Sequence, residues 1–127
     1  MKLLLDTHIV LWFLNDAQKL SNTALNSILD TVNEKYVSIA SAWELAVKIS
    51  LGKLSIEGGT EAFFKAIDEN GFELLPIKKE HLKKLESMPF IHRDPFDRIL
   101  IASASAEGIN LVSADKSIHL YGISVIW

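Results

Sequence analysis

The chain has 127 residues, of which 49% are hydrophobic and 23% are charged, with a formal net charge of -3. These values are typical of one folded domain with a sizeable core, and they exclude a disordered chain. The sequence contains no cysteine, which excludes disulfides and thiolate metal sites and leaves oxygen and imidazole ligands. The charge lacks the basic bias of many nucleic-acid-binding proteins, so local lysines and arginines would have to steer a polyanionic substrate.

Nothing in the chain predicts a membrane span, a leader or a second domain. It has no run of about eighteen apolar residues, and its N-terminus lacks the basic, apolar and small-residue order of a secretion signal. No repeat, low-complexity tract or linker divides it. We therefore expect a single domain, residues 1–127, that acts in the cytoplasm and not in a membrane.

The N-terminal segment predicts a strand followed by a helix. Lys2–Leu5 is an apolar run without polar alternation, as expected for a strand buried on both faces of a parallel sheet. Ile9–Leu14 is also apolar, and Thr7 is suitable as the N-cap of a helix crossing back over the sheet. Asp6 is then expected at the carboxyl end of a central strand, where open α/β sheets bind ligands. Alternatively, Asp6 is a turn residue that helps to cap the helix.

The rest of the chain alternates helical and strand patterns. The predicted helices are Leu20–Val32, Ser41–Ile49, Thr60–Ile67, Lys78–Met88 and Pro95–Ala104. Ser21 is the predicted N-cap of the first, and Ser38 or Ser41 that of the second. Glycines end three of them: Gly52 the second, Gly71 the third and Gly108 the last. The predicted strands are Tyr36–Ile39, Phe72–Leu75, Ile109–Ser113 and Ile123–Trp127. This alternation predicts an α/β fold with a parallel sheet.

Acidic residues recur where these strands end or helices begin. They are Asp6, Glu44, Asp97 and Asp115. Each also has a structural interpretation. Glu44, expected in the first turn of its helix, would complement the helix dipole and pair with Lys48. Asp97, at the third helical position, is a capping-box variant, although Asp94 directly before a proline is the better N-cap. Asp115 would start a turn.

The shared position of these acids predicts a metal site. Right-handed crossovers in a parallel sheet bring strand ends to one edge. Carboxylates gathered there repel one another, and some of their pKa values rise unless a cation lies between them. Mg²⁺ or Mn²⁺ fits best, because both prefer oxygen ligands and also bind phosphate. Such an ion polarises a phosphoryl group and activates a bound water, which a neighbouring carboxylate orients or deprotonates.

Four short motifs follow one another along the chain: Leu4–His8, Ser41–Glu44, His92–Arg98 and Ser113–Asp115. Together they resemble the motifs of PIN-domain ribonucleases, in particular the VapC-type toxins of type II toxin-antitoxin modules. The resemblance covers essentially the whole chain. It implies a three-layer α/β/α sandwich with a central parallel sheet. It also implies a metal-dependent endoribonuclease that cuts tRNA, rRNA or mRNA, forms a homodimer and is silenced by a cognate antitoxin.

The resemblance also implies roles for the acids. Asp6 and Asp97 would be the principal metal ligands. Glu44 and Asp115 would complete the acidic site, directly or through water. Asp94 is a further candidate ligand. With these acids present, nothing in the sequence predicts an inactive protein.

Hydroxyl and basic side chains lie beside the acids in the sequence. Ser113 matches a position where the family often has a hydroxyl residue, and Thr7 follows the first acid, so both are candidates for hydrogen bonding within the site. The flanking basic residues are candidates for binding substrate phosphates or, equally, for pairing with the acids. They are Arg93, Arg98, Lys48 and Lys116.

Other side chains have mainly structural interpretations. The aromatic residues Trp12, Phe13, Trp43 and Trp127 are expected in the core, with base stacking or an antitoxin groove as alternatives. His8 and His92 are expected to be structural, with RNA contact as the alternative. In the helix Lys78–Met88, Leu82 and Leu85 are expected to face inward. Its lysines, expected on a solvated face with RNA contact as the alternative, are Lys78, Lys79, Lys83 and Lys84.

Two other functions compete with the nuclease hypothesis. One is another Mg²⁺-dependent phosphohydrolase on an α/β sheet, such as a haloacid-dehalogenase-like phosphatase, but that family requires a second aspartate where this chain has His8. The other is a non-catalytic PIN-like module that binds RNA or protein and uses its acids to hold a structural cation. The sequence leaves this second alternative open.

Overall fold

Five strands form one sheet in the computed structural model, which describes residues 1–127. The strands are β1 (Lys2–Leu5), β2 (Glu34–Ser38), β3 (Glu73–Leu75), β4 (Asn110–Val112) and β5 (Val125–Ile126). Their order is β3-β2-β1-β4-β5, and every neighbouring pair is parallel. β1 is therefore the central strand, as predicted. The order of connections reverses between β1 and β4, which makes their carboxyl ends the topological switch point of the sheet.

Helices cover both faces of this sheet. They are α1 (Thr7–Asn15), α2 (Asn22–Leu29), α3 (Ile39–Ser50), α4 (Gly59–Glu69), α5 (Lys79–Ser87) and α6 (Pro95–Glu107), with short 3₁₀ segments at Ala17–Lys19 and Lys116–Tyr121. None of them combines the length and the apolar character needed to cross a bilayer.

The alternation of side chains along β1 explains the two-sided core. Leu3 and Leu5 pack into an apolar cluster with residues of α1 to α4, whereas Leu4 packs into a second cluster that is built mainly from α6. Successive side chains of a strand point to opposite faces, so an uninterrupted apolar run requires cover on both sides. The predicted α/β/α sandwich with a central parallel sheet is confirmed.

At the starts of α1 and α3 the structure selects the earlier of two predicted caps. Asp6, not Thr7, is the N-cap of α1, with its carboxylate accepting from the Ile9 backbone N–H at 2.9 Å. Ser38 caps α3 by accepting from Ala40 N–H, so residue 39 begins a helix instead of ending a strand. The sequence predicted Glu44 in the first turn of this helix. The earlier start places it in the second turn.

The inward face of α5 was partly predicted wrongly. Leu82 is exposed, whereas His81 is 0% exposed and lies one residue earlier on the face that Leu85 and Met88 also use. The apolar spacing favoured Leu82 because a histidine scores as polar in such a pattern. Hydrogen bonds to its ring make the burial of His81 possible. The four lysines of this segment are exposed, as the solvated-face interpretation predicted.

Candidate metal centre

The acidic residues gather at the carboxyl edge of the sheet, around its switch point. Asp6 directly follows β1, and its backbone N–H still bonds to Val112 O of β4 at 3.1 Å. Because Asp6 also caps α1, its carboxylate is held at the helix N-terminus and is buried. Asp115 follows β4 at the same edge. The chain thus reaches the switch point from both sides with a carboxylate.

Glu44 reaches this edge from α3 and is 2% exposed. Its Oε2 accepts from Lys48 Nζ at 2.6 Å, which confirms the predicted i,i+4 ion pair. Its Oε1 is buried and has no hydrogen-bond partner in the protein. Buried carboxylate oxygens are nearly always bonded, so a cation or a cation-bound water fits this oxygen. The donor set of the edge therefore suits a divalent metal.

Asp94 and Asp97 enter from the N-terminus of α6. Asp94 is the N-cap, as predicted, with Oδ1 accepting from Phe96 N–H at 2.8 Å and from Asp97 N–H at 3.3 Å. Pro95 occupies the first helical position, where its missing N–H has no cost. Since Asp94 does the capping, the Asp97 carboxylate is free to point elsewhere.

Burial disfavours the ionised forms of Asp6 and Asp97, and for Asp97 the neighbouring acids add to it. Burial raises the pKa of Asp97 to about 6, and the charges of Asp94, Asp6 and Glu44 act in the same direction. Burial likewise raises the pKa of Asp6, although the Ser113 hydroxyl and the Ile9 N–H partly offset it. The charge effects on Asp97 indicate that Asp94, Asp6 and Glu44 lie close to it, as predicted. Among these acids only Glu44 has a lysine or arginine as an ion-pair partner.

Asp115 is in a different electrostatic state. Burial works to raise its pKa, but hydrogen bonds from Ser117 and His92 outweigh it, and the pKa lies below the ordinary value. Its Oδ1 accepts from the backbone and the hydroxyl of Ser117, at 2.9 and 2.7 Å. Its Oδ2 lies 2.8 Å from His92 Nε2. Asp115 also begins the 3₁₀ turn that its structural interpretation predicted.

His92 is a member of the cluster that sequence reasoning did not place there. Its Nε2 lies 3.4 Å from Asp97 Oδ2 as well as near Asp115. His92, Asp97 and Asp115 have ligand-capable atoms that all lie within 4.8 Å of one another, and no other group of three acids or histidines does. The signal available in the sequence was its position in the same short segment as Asp94 and Asp97. Asp6, Glu44 and Asp94 stand outside this tight group but act on it through their charges.

The hydroxyl groups connect the elements around the acids. Thr7 Oγ1 donates to Ser41 Oγ at 2.8 Å, which ties α1 to α3. Ser113 Oγ accepts from the backbone N–H of Asp115 at 3.1 Å. Both side chains are buried, so the hydrogen bonds hold the ends of β1 and β4 in place next to the acids.

The basic residues divide into bound and free side chains. Arg98 is buried, donates to the carbonyl oxygen of Pro89 at 3.1 Å, and lies over the ring of Phe90. These contacts engage its guanidinium inside the protein, and phosphate binding by Arg98 stays a prediction. Lys48 is the ion-pair partner of Glu44. Arg93 and Lys116 are exposed.

The aromatic residues do not all belong to the core. Trp12 and Phe13 pack against it, as expected. Trp43 is 58% exposed and contacts Phe96 edge-on at a centroid distance of 4.9 Å, because the residue preceding buried Glu44 on α3 faces outward. Trp127 is also exposed. An open cavity of about 290 Å³ lies at the acidic edge of the sheet, and its lining includes Asp6, His8, Trp12 and Asp115.

Comparison with solved structures finds the same fold in toxin-antitoxin proteins. The chain is similar to one in VapBC2 from Rickettsia felis bound to a promoter DNA fragment, with a TM-score of 0.76 and 15% identity over 98% of this chain and 97% of that one. The match to DNA-bound VapBC from Salmonella typhimurium has a TM-score of 0.70 and 17% identity and covers 98% of this chain and 96% of that one. The match to the PIN domain endonuclease Utp24 has a TM-score of 0.56 and 17% identity and covers 98% of this chain and 82% of that one.

Comparison with curated protein sequences returns no match. The family model of the PIN domain, however, matches residues 3–123, which is nearly the entire chain. PIN domains are generally nucleases, and they typically use divalent metals. With the sheet order and the acids at its switch point, this match establishes that the chain belongs to the PIN-domain family.

Proposed function

We propose that this protein is a metal-dependent endoribonuclease that hydrolyses RNA phosphodiester bonds as the VapC-type toxin of a type II toxin-antitoxin module. The observation that carries the proposal is that two acidic groups at the sheet edge are left unsatisfied: Asp97, whose pKa is raised to about 6 mainly by burial, and Glu44, whose buried Oε1 has no partner. A structural acid is normally capped or paired. Acids left in this state are poised to bind a cation.

Mg²⁺ or Mn²⁺ is the cofactor that suits these ligands, which are all carboxylate oxygens. Asp6 and Asp97 would be its principal ligands, with Glu44 and Asp115 contributing directly or through water and Asp94 as a further candidate. When bound, the ion would polarise a phosphoryl oxygen and lower the pKa of a coordinated water.

The protein's own side chains prepare this chemistry. Lys48 holds Glu44 through Oε2 and leaves Oε1 available. Ser117 and His92 fix the carboxylate of Asp115. A carboxylate beside the ion would orient the attacking water or accept its proton, and Glu44, whose Oε1 has no partner, is placed for this. Arg93 and Lys116 remain exposed and would contact substrate phosphates.

The proposal includes partners for the toxin. The structurally similar VapBC chains come from complexes, which supports a cognate antitoxin for this chain, and we also propose a homodimer of single-domain subunits that acts on cytoplasmic RNA. Light scattering on the purified protein, alone and with the product of an adjacent small reading frame, measures both assemblies. A strictly monomeric protein would remove the homodimer from the proposal without affecting the nuclease.

An RNA cleavage assay tests the activity. Total RNA is incubated with the wild-type protein in chelator, Mg²⁺ or Mn²⁺, and with Asp6→Asn under the same conditions. Asp68→Asn, an exposed acid of α4, is the matched control. We expect metal-dependent cutting by the wild type and the control, and none by Asp6→Asn.

Three outcomes would contradict the proposal. Unchanged cutting by Asp6→Asn would indicate contamination or a different site. RNA or protein binding without cutting under any metal would favour the non-catalytic module. Hydrolysis of a small phosphate monoester in place of RNA would favour another Mg²⁺-dependent phosphohydrolase.

A further inference from the structure

We propose that His92 is a positioning residue whose Nε2–H holds Asp115, and that it is not a metal ligand. The inference rests on the proposed function, because that function assigns Asp115 to the metal. Ligand-capable atoms of His92, Asp97 and Asp115 lie within 4.8 Å of one another, and the inference removes His92 from this candidate ligand set.

The tautomer of the ring follows from its hydrogen bonds. The backbone N–H of Asp94 points at His92 Nδ1 at 3.2 Å. A backbone N–H can only donate, so Nδ1 must carry a free lone pair. A protonated imidazolium has none, and a neutral ring with an acceptor Nδ1 carries its proton on Nε2. Nδ1 is therefore the acceptor and Nε2 the donor.

The Nε2–H group is directed at one carboxylate. It donates to Asp115 Oδ2 at 2.8 Å, whereas Asp97 Oδ2 lies 3.4 Å away without a hydrogen bond. A protonated nitrogen offers no lone pair to a metal. Distance alone makes the three residues resemble a ligand set, but the nitrogen is already used as a donor. The result is an oxygen-only metal site, as Mg²⁺ and Mn²⁺ prefer.

The segment around His92 is held so that the ring cannot easily turn away. Its backbone N–H donates to Tyr121 Oη at 2.6 Å, and its carbonyl oxygen accepts from Arg98 Nη1 at 3.4 Å. The buried Arg98 therefore has a structural role, because it holds the segment that carries His92. Tyr121 and Arg98 hold the segment, the segment holds the imidazole, and the imidazole holds Asp115. Such outer hydrogen-bond partners orient metal-binding groups in many sites.

Nuclear magnetic resonance tests the donor state directly in the wild-type protein. A long-range ¹H–¹⁵N correlation spectrum of the metal-free protein at neutral pH distinguishes the two neutral tautomers and the imidazolium, and the His92 signals are assigned by their loss in His92→Gln. We expect an Nε2-protonated neutral ring whose signals keep this pattern when Mg²⁺ is added. An Nδ1–H tautomer, an imidazolium, or deprotonation of Nε2 on adding the ion would overturn the proposal.

Metal affinity gives an independent measurement. Glutamine retains an N–H donor of similar reach, whereas leucine retains only the volume. We expect His92→Gln to bind Mn²⁺ within about threefold of wild type and His92→Leu to bind it roughly 10- to 100-fold more weakly, the usual cost of losing an outer partner. His119→Gln, at an exposed histidine, is the matched control and should not differ from wild type. Equal losses in both His92 variants would identify a direct ligand and refute the positioning role.

The two proposals fail in different ways. A wild-type protein that neither binds Mn²⁺ nor cuts RNA would refute the proposed function. The ring state is still decided by the spectrum of the metal-free protein.

Discussion

Two histidine-carboxylate clusters in this molecule share one local arrangement. In each, a backbone N–H donates to Nδ1 at 3.2 Å, from Lys78 to His81 and from Asp94 to His92. In each, Nε2 meets a carboxylate oxygen, at 2.9 Å for His81 with Glu107 and at 2.8 Å for His92 with Asp115. On hydrogen-bond geometry alone the clusters are nearly equivalent.

Their charge balance is what distinguishes them. Glu107 also pairs with Lys78 at 2.8 Å, and the pKa of Glu107 is lowered by Lys78 first and by His81 second. At the other cluster, Asp97 has its pKa raised to about 6 by burial and by neighbouring acids. The first cluster is neutralised within the protein and joins α5 to α6. In the second cluster His92 is the only basic residue paired with the carboxylates, so the missing lysine or arginine, and not the histidine-carboxylate pair, marks the candidate site.

Asp97→Asn should produce the largest difference between the two clusters. Removal of a principal metal ligand is expected to lower RNA cleavage more than the roughly 100-fold that bounds the loss of an outer partner. The same change relieves repulsion between acids, so the metal-free protein should unfold at a higher urea concentration than wild type. Glu107→Gln is the control, and its cleavage rate should match wild type. A similar loss of cleavage in Asp97→Asn and Glu107→Gln would contradict the assignment of the site to the His92 cluster alone.

His81→Ala should have the opposite profile, with a large effect on stability and little on metal binding. Truncation leaves a cavity and removes the acceptor of the Lys78 N–H and one partner of the Glu107 carboxylate. We expect the free energy of unfolding to fall by about 2–4 kcal/mol. Urea denaturation with and without Mg²⁺ measures both quantities. Mg²⁺ should stabilise His81→Ala as much as it stabilises wild type. Loss of this stabilisation would show that the His81 cluster affects metal binding.

The pH dependence of stability should reveal the uncompensated charge. A pKa of about 6 for Asp97 against an ordinary value of 3.8 means that the folded state binds the proton more tightly than the unfolded state. The contribution is therefore fully present below pH 3.8 and is lost as the pH rises through 6, up to roughly 3 kcal/mol in total. Wild type should thus be less stable than Asp97→Asn at pH 7, with the gap closing on acidification.

A divalent cation sharpens this pH measurement. Bound Mg²⁺ favours the ionised carboxylates, so it should reduce the gap between wild type and Asp97→Asn at pH 7. Urea unfolding curves at several pH values, with and without the ion, give the comparison. If the difference in stability between wild type and Asp97→Asn does not depend on pH or Mg²⁺, the pKa of Asp97 is not raised in the folded state.

Lys48→Met should have the smallest of these effects. It leaves Glu44 buried without its ion-pair partner, which we expect to cost about 1–2 kcal/mol of stability. The cost is less than for a fully buried pair because the Lys48 side chain is 40% exposed. Added Mg²⁺ should restore part of it. Lys53→Met, at an exposed lysine just after α3, is the control, and an equal loss there would mean that the Glu44 pair contributes nothing.

Much of the fold was predictable because it depends on short-range patterns. The apolar run of β1 required cover on both faces, and Asp94 before Pro95 marked the start of α6 unambiguously. Errors arose where two residues competed for one role. Asp6 and Thr7 both could cap α1, and His81 and Leu82 both could face the core from α5. Neighbours that are remote in sequence decided both cases.

The sequence by itself determined the strand-helix alternation, and with it the delivery of Asp6, Glu44, Asp97 and Asp115 to one edge of a parallel sheet. It did so because periodicity and caps are local, and because crossover handedness is nearly invariant. Only the tertiary structure decided which groups compensate one another. It buried Arg98 against carbonyl oxygens, left Glu44 Oε1 without a partner, and inserted His92 between two acids. Those outcomes depend on distances of a few ångströms between distant segments, which no local pattern encodes.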